Sequence, residues 1–174
     1  MEIIKLISLL LLLSFVLFSC SSAEQALLSY QGKSFHAHVI LHVDSLDVYA
    51  TVTSFKKKEH VTVELTSPKT LAGIVVTKSG SETSVCLDGT KISSPELFRL
   101  ADISRFFSID GKLTESSVLT LDGRKMNLLK MVDVDGTTYS LYLYSSSGLP
   151  RRIISESNQK EMTLEVISFE FIPE

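Results

Sequence analysis

The chain has 174 residues, 44% of them hydrophobic, and a formal net charge of -3. That is enough apolar material for one globular domain with its own core, and too much for a disordered segment. Its longest basic run is Lys56-Lys57-Lys58, so the charge pattern gives no reason to expect nucleic acid as a partner.

The chain begins with a lone Lys5 ahead of Leu6 to Phe18, a stretch that is apolar except for Ser8 and Ser14. A bilayer span needs about 20 apolar residues, whereas a signal-peptide core needs roughly 7 to 15. Residues 1–19 therefore read as a targeting signal rather than a permanent span. The run stops at Leu17-Phe18-Ser19-Cys20, which resembles the lipobox of bacterial lipoproteins: an aliphatic residue, a variable one, a small one, then cysteine. Phe18 is bulkier than the residue usual at its position, and Glu2 weakens the basic start of the signal.

The resemblance implies a diacylglyceryl group on the Cys20 sulfur, cleavage before that residue and acylation of the new amino terminus. Two or three acyl chains anchor stably where one is marginal, because each buried CH₂ contributes about 0.8 kcal/mol. The address would be the cell envelope, on the outer face of the cytoplasmic membrane or on an outer membrane where the cell has one. The competing readings are a secretory peptide cut after Ser19 or Ser22, and a short uncleaved anchor. With Cys20 lipidated, Cys86 is the single remaining thiol, so no intrachain disulfide forms. Cys86 itself, within Val85-Cys86-Leu87, reads as a small buried hydrophobe.

Residues 20–33 make a short tether with a weakly helical stretch at Ala23 to Tyr30, and residues 34–174 form the domain. From Ser34 onward the dominant period is two. Phe35, Ala37, Val39, Leu41 and Val43 alternate with His36, His38, Ile40, His42 and Asp44, the pattern of a half-buried antiparallel strand. The runs Val48 to Thr53, Val61 to Leu65, Ile74 to Thr77 and Val85 to Leu87 continue it as a meander. Ser94-Pro95-Glu96 opens a predicted central helix with a serine cap, a first-turn proline and an early acid. Its apolar stripe is Leu97, Leu100, Ala101, Ser104 and Phe107, widened by Phe98, Ile103 and Phe106.

A second set of strands follows at Val118 to Leu121, Met126 to Val134, Thr138 to Tyr144, Arg151 to Ser155 and Met162 to Phe171. In the last, the apolar series Met162, Leu164, Val166 shifts to Ile167, Phe169, Phe171, which predicts a bulge or a change of face. Asp-Gly pairs at 88–89, 110–111, 122–123 and 135–136 suit the positive φ angles of tight hairpins. The fold class expected is mainly β within an α+β scheme: a strongly curved antiparallel sheet forming a half-barrel, covered by the central helix and the short N-terminal helix.

Two stretches, SPKTLAGIVVTKSGSETSVCLDG and LYLYSSSGLPRRI, are similar to the LolA/LolB superfamily, which includes lipid-carrying mycobacterial lipoproteins of the LppX type. The first matches the family's run of proline, strand, turn, strand and Asp-Gly, and the second its hairpin with Gly-Leu-Pro. The resemblance implies a concave, lidded sheet whose apolar lining holds acyl chains. Inner-face residues for such a ligand are Val39, Leu41, Val63, Leu65, Val75, Leu100, Phe107, Leu141 and Leu164, although plain core packing is the commoner role for any one of them. The arginine inside the family's carriers has no counterpart by motif here, so the resemblance points to a receptor or resident binder rather than a lipoprotein shuttle.

No enzyme is expected, since the chain lacks a GxSxG elbow, a phosphate loop, HExxH and CxxC. No cofactor or metal is expected either. His36, His38 and His42 share a strand face with no placed fourth ligand, and Asp133 to Gly136 reads as a hairpin rather than a calcium loop. Two functions remain: binding of a hydrophobic ligand such as a lipid, or a filled barrel that presents the Tyr142/Tyr144 face or the histidine face to another envelope protein. Replacing Cys20→Ser is expected to abolish incorporation of labelled palmitate into the full chain, read by autoradiography of membrane fractions; undiminished labelling would refute lipidation at Cys20.

Overall fold

A computed structural model describes residues 28–173, apart from 44, 81, 93–102, 104 and 158–159. Cys20, Leu100, most of the expected central helix and nearly all of the expected N-terminal helix therefore lie outside the described residues. The described residues form one sheet of eleven antiparallel strands. In chain order they are β1 (Phe35–Val43), β2 (Leu46–Phe55), β3 (His60–Ser67), β4 (Ile74–Ser79), β5 (Glu82–Leu87), β6 (Thr90–Ile92), β7 (Gly111–Leu121), β8 (Arg124–Asp133), β9 (Thr138–Tyr144), β10 (Pro150–Ser157) and β11 (Lys160–Phe171).

The strand order is β6-β5-β4-β3-β2-β1-β11-β10-β9-β8-β7. Two meanders thus run outward from the middle, where β1 pairs with β11, and β6 and β7 are left as edges. Sheets of more than about ten strands curl rather than stay flat. Here one face is dry across the sheet from β5 to β8: Val39, Val52, Val63, Val76, Val85, Leu129, Leu141, Ile153 and Leu164 are all buried in a single cluster. That face is concave, and the sheet's own side chains cover one another across it.

Strand alternation follows the period of two. In β1, Phe35, Ala37, Val39 and Leu41 are buried while His38 is exposed. In β9, Tyr139, Leu141 and Leu143 point in and Tyr142 and Tyr144 point out. The expected irregularity in β11 is a bulge: Val166 pairs with Val39 and Ser168 with His38. Ile167 is therefore the extra residue, 59% exposed. The bulge moves the inward positions from Leu164 and Val166 to Phe169, which stacks on Phe35 at a centroid distance of 4.8 Å.

Three of the four Asp-Gly pairs sit in hairpin connections. Asp88-Gly89 and Asp122-Gly123 have positive φ at both residues, the geometry that matches the twist of two-residue hairpins. The fourth is a correction. Asp110-Gly111 leads into β7, and a Cβ on Gly111 would lie 2.6 Å from the Val132 carbonyl oxygen of β8. That glycine permits close backbone approach rather than a turn.

The helical cover is also corrected where it is described. Ile103 and Arg105 to Phe107 form a short 3-10 turn rather than an α-helix, and Leu28 to Gly32 is a sequence of turns. The covering role nevertheless falls to these segments. Ile103, Phe106, Phe107 and Ile109 are buried in the core cluster, Phe106 meets Tyr139 edge-on at 6.1 Å, and Tyr30 meets Phe169 edge-on at 6.0 Å. They plug the concave face from above. Truncation of Ile153→Ala, at a fully buried site, is expected to cost about 2–5 kcal/mol in urea unfolding. Val134→Ala, at a residue 89% exposed, is expected to stay within about 0.5 kcal/mol.

Candidate functional site

The inner-face residues chosen from sequence divide clearly. Val39, Leu41, Val63, Leu65, Leu141 and Leu164 lie in the concave core together with Phe107 from the plug, each at most 3% exposed. They pack against one another. Val75 is a correction: it sits opposite Glu64 and Cys86, on the outer face, while Ile74 and Val76 point inward. Ile74-Val75-Val76 has no alternation, so only the pairing of Val76 with Val63 decides which residue faces the core. Cys86 shares that outer face and is part-exposed rather than buried.

The mouth of the half-barrel lies where β1 and β3 begin and β2 and β4 end. Phe35 pairs with Ser54, and His60 pairs with both Phe55 and Ser79. The β2–β3 connection is a 3-10 turn, Lys56–Lys58, closed by Glu59 with φ 46°. Two hydrogen bonds hold it: the Lys56 N–H donates to Ser34 Oγ at 3.1 Å, and the Gly80 N–H donates to the Glu59 carbonyl at 3.1 Å. Between this turn, the approach to β1 and the plug lies a cleft of about 290 Å³.

The cleft is amphipathic. Phe35, Val52 and Phe107, all buried, form an apolar floor that is continuous with the core, and Phe55 and Val61 extend it toward solvent. Among the described residues the rim carries Lys33, Lys56 and Lys78 against one acid, Glu59, with His60 beside it. The Lys33 ammonium stands 4.8 Å from the centroid of Phe171, a cation–π contact at the edge of the opening. Sequence reading picked out Phe107 and missed the rest of this site, because Phe35 and Val52 looked like ordinary core and the lysines belong to three separate segments. The triple lysine was the available signal.

The plug is tethered by charge. Arg105 Nη2 donates to Asp135 at 2.8 Å and to Asp133 at 3.2 Å, carboxylates that stand in the β8–β9 connection and at the end of β8. Asp133 also accepts from the Val134 N–H and Asp135 from the Thr137 N–H. The oxygens that suggested half a calcium loop are thus taken up by a guanidinium and the local backbone. The Thr137 backbone and side chain, followed by Arg105, hold the Asp135 carboxyl down to about 2.

The three histidines of β1 have partners across the strand, and Asp44, which follows them on the same face, lies outside the described residues. His36, His38 and His42 each contact the residue opposite on β2: Thr53 at 3.0 Å, Thr51 at 3.1 Å and Asp47 at 2.7 Å. Among the described residues no group of three or more His, Cys, Asp or Glu converges as a metal site. The two arginines of Gly-Leu-Pro-Arg-Arg do not enter the interior either. Arg152 bonds Glu165 at 2.6 Å across β10 and β11, with Arg151 3.5 Å from the same carboxylate. Burial pushes Glu165 up, and the Arg152 hydrogen bond with both arginine charges outweighs it, so its carboxyl lies below its ordinary value. Among the described residues no helix is long and apolar enough to cross a membrane.

No family model and no curated protein sequence matches the chain. Solved structures do. An uncharacterized conserved protein from Thermus thermophilus is 16% identical, with 88% of each chain covered and a TM-score of 0.60. The MucB structure is 16% identical with a TM-score of 0.51, over 87% of this chain and 58% of that one. A LolA superfamily protein from Nitrosomonas europaea is 16% identical with a TM-score of 0.48, over 86% of this chain and 93% of that one. At these identities the likeness is one of fold, and this chain spans little more than half the length of MucB.

Because the Asp135 carboxyl is depressed in the folded protein, its stabilising contribution is complete above its ordinary value of 3.8 and is lost as pH falls toward about 2. Asp135→Asn is therefore expected to flatten the fall in thermal stability between about pH 4 and pH 2, measured by circular dichroism melts, while leaving the profile above that window parallel to the parent.

Proposed function

We propose that this chain is a lipid-anchored protein of the cell envelope with a LolA-type half-barrel, and that it binds a hydrophobic ligand at the barrel mouth without chemical conversion. The observation that supports this reading is the cleft whose floor, Phe35, Val52 and Phe107, continues into the core. A concave apolar site with a few polar groups at its edge is the usual form of a small-molecule site. The expected sheet geometry is in place, and the anchor at Cys20 would hold the domain near a membrane that supplies such ligands. The ligand would seat above the core rather than along Leu141 or Leu164, because those side chains already fill the space against one another.

A second reading has its own support. The dry packing of Val39, Leu41, Val63, Leu65, Leu141 and Leu164 is that of a filled barrel, whose outward Tyr142/Tyr144 face or histidine face would meet another envelope protein. The two separate in one experiment. The full chain is isolated from a bacterial envelope in mild detergent, examined by native mass spectrometry and extracted with organic solvent. The ligand reading expects a stoichiometric lipid in addition to the covalent anchor. An anchor-only mass, unchanged after incubation with fatty acid and phospholipid, would overturn it in favour of the filled barrel.

A further inference from the structure

We infer that the mouth selects a single-chain amphiphile with an anionic head, of the fatty-acid class, with its acyl chain on the aromatic floor and its carboxylate among Lys33, Lys56 and Lys78. This deepens the hydrophobic-ligand reading and rests on it.

Charge comes first. The rim holds three lysines and one glutamate, so it is net cationic on a chain whose formal charge is -3. Among the described residues, none of the three ammonium groups has a carboxylate within ion-pair distance, whereas Lys130 and Arg105 elsewhere on the surface are both paired. The three come from different segments, the approach to β1, the β2–β3 turn and the end of β4. Only the tertiary structure brings them together. A cation ring around an apolar opening attracts an anion that carries an apolar tail, and it disfavours a cationic or neutral head by comparison.

Size and lining restrict the tail. A volume of about 290 Å³ stands at the lower end of the roughly 300–1,000 Å³ usual for ligand sites, which suits one acyl chain rather than the two or three of a phospholipid or lipoprotein. The floor offers aromatic and branched aliphatic surface from Phe35, Phe107, Val52 and Val61, and the polar groups of the lining, Ser54 and Ser108 among them, are few and small beside it. Lys33 is already set at the rim by its contact with the Phe171 ring, and the Lys56 backbone is tied to Ser34. These two positions are therefore preorganised, which lowers the ordering cost of binding.

The test uses the full chain in bacterial membranes and two photoreactive probes with identical sixteen-carbon chains, one ending in a carboxylate and the other in an alcohol. The expected result is saturable labelling by the acid probe on peptides that line the cleft, suppressed by excess palmitate and not by hexadecanol. The triple variant Lys33→Gln, Lys56→Gln and Lys78→Gln is expected to lower acid labelling about tenfold, as three exposed charge contacts would, and to leave alcohol labelling unchanged. Equal labelling by both probes, indifferent to the variant, would overturn charge selection while leaving a hydrophobic site in place. Stronger labelling by a two-chain anionic phospholipid probe would overturn the single-chain assignment. Absence of labelling by every probe would remove the underlying ligand reading as well. The competition between palmitate and hexadecanol on the unaltered chain decides the matter even if the triple variant folds poorly.

Discussion

Everything in this structure depends on the ladder between β1 and β11. Each other pairing in the sheet joins strands adjacent in the chain, so hairpin chemistry suffices to form it. The β1–β11 ladder instead joins Phe35 to Phe171 and His42 to Thr163, closing nearly the whole domain into one loop. Such closure is entropically costly before its contacts form, and its reward is the central band of the core. Ala37, Val39, Leu41, Leu164 and Val166 lie side by side along it, all buried. Without it there are two separate curved meanders, each with one apolar face in water.

The bulge at Ile167 makes that ladder productive. A strand as long as β11 would, with strict alternation, turn Phe169 and Phe171 away from the side that holds Leu164 and Val166. One extra residue restores them, and Phe169 then meets Phe35, Phe107 and Tyr30. The aromatic cluster so formed roofs the lower core and floors the mouth. Packing within the barrel and the existence of a cleft at its rim thus have one cause, because the rings that seal the interior are also the surface a ligand would meet.

The plug shows how a short irregular segment replaces a longer cover. Four large apolar residues, Ile103, Phe106, Phe107 and Ile109, enter the core, and Arg105 ties the same turn to the β8–β9 connection from outside. Burial sets its depth and the ion pairs set its direction. Surface pairs contribute little individually, so the anchoring comes chiefly from the rings, at roughly 1.5–3 kcal/mol for each fully buried large side chain.

The sequence by itself determined the β class, the alternation of β1, β9 and most of β11, the bulge, three of the four Asp-Gly connections and most of the inner-face residues. These are local signals, carried by side-chain period and by residues that tolerate positive φ. What it placed wrongly was the face of Val75, where three β-branched residues in a row carry no period, the exposure of Cys86, the role of Gly111 and the form of the 3-10 turn at 105–107. It could not show the mouth at all. Lys33, Lys56 and Lys78 are brought to one rim, and Phe35 and Phe107 to one floor, by strand pairings and a plug that close over long separations. Such closures are settled by the whole sheet's burial and register, which no local window of residues contains.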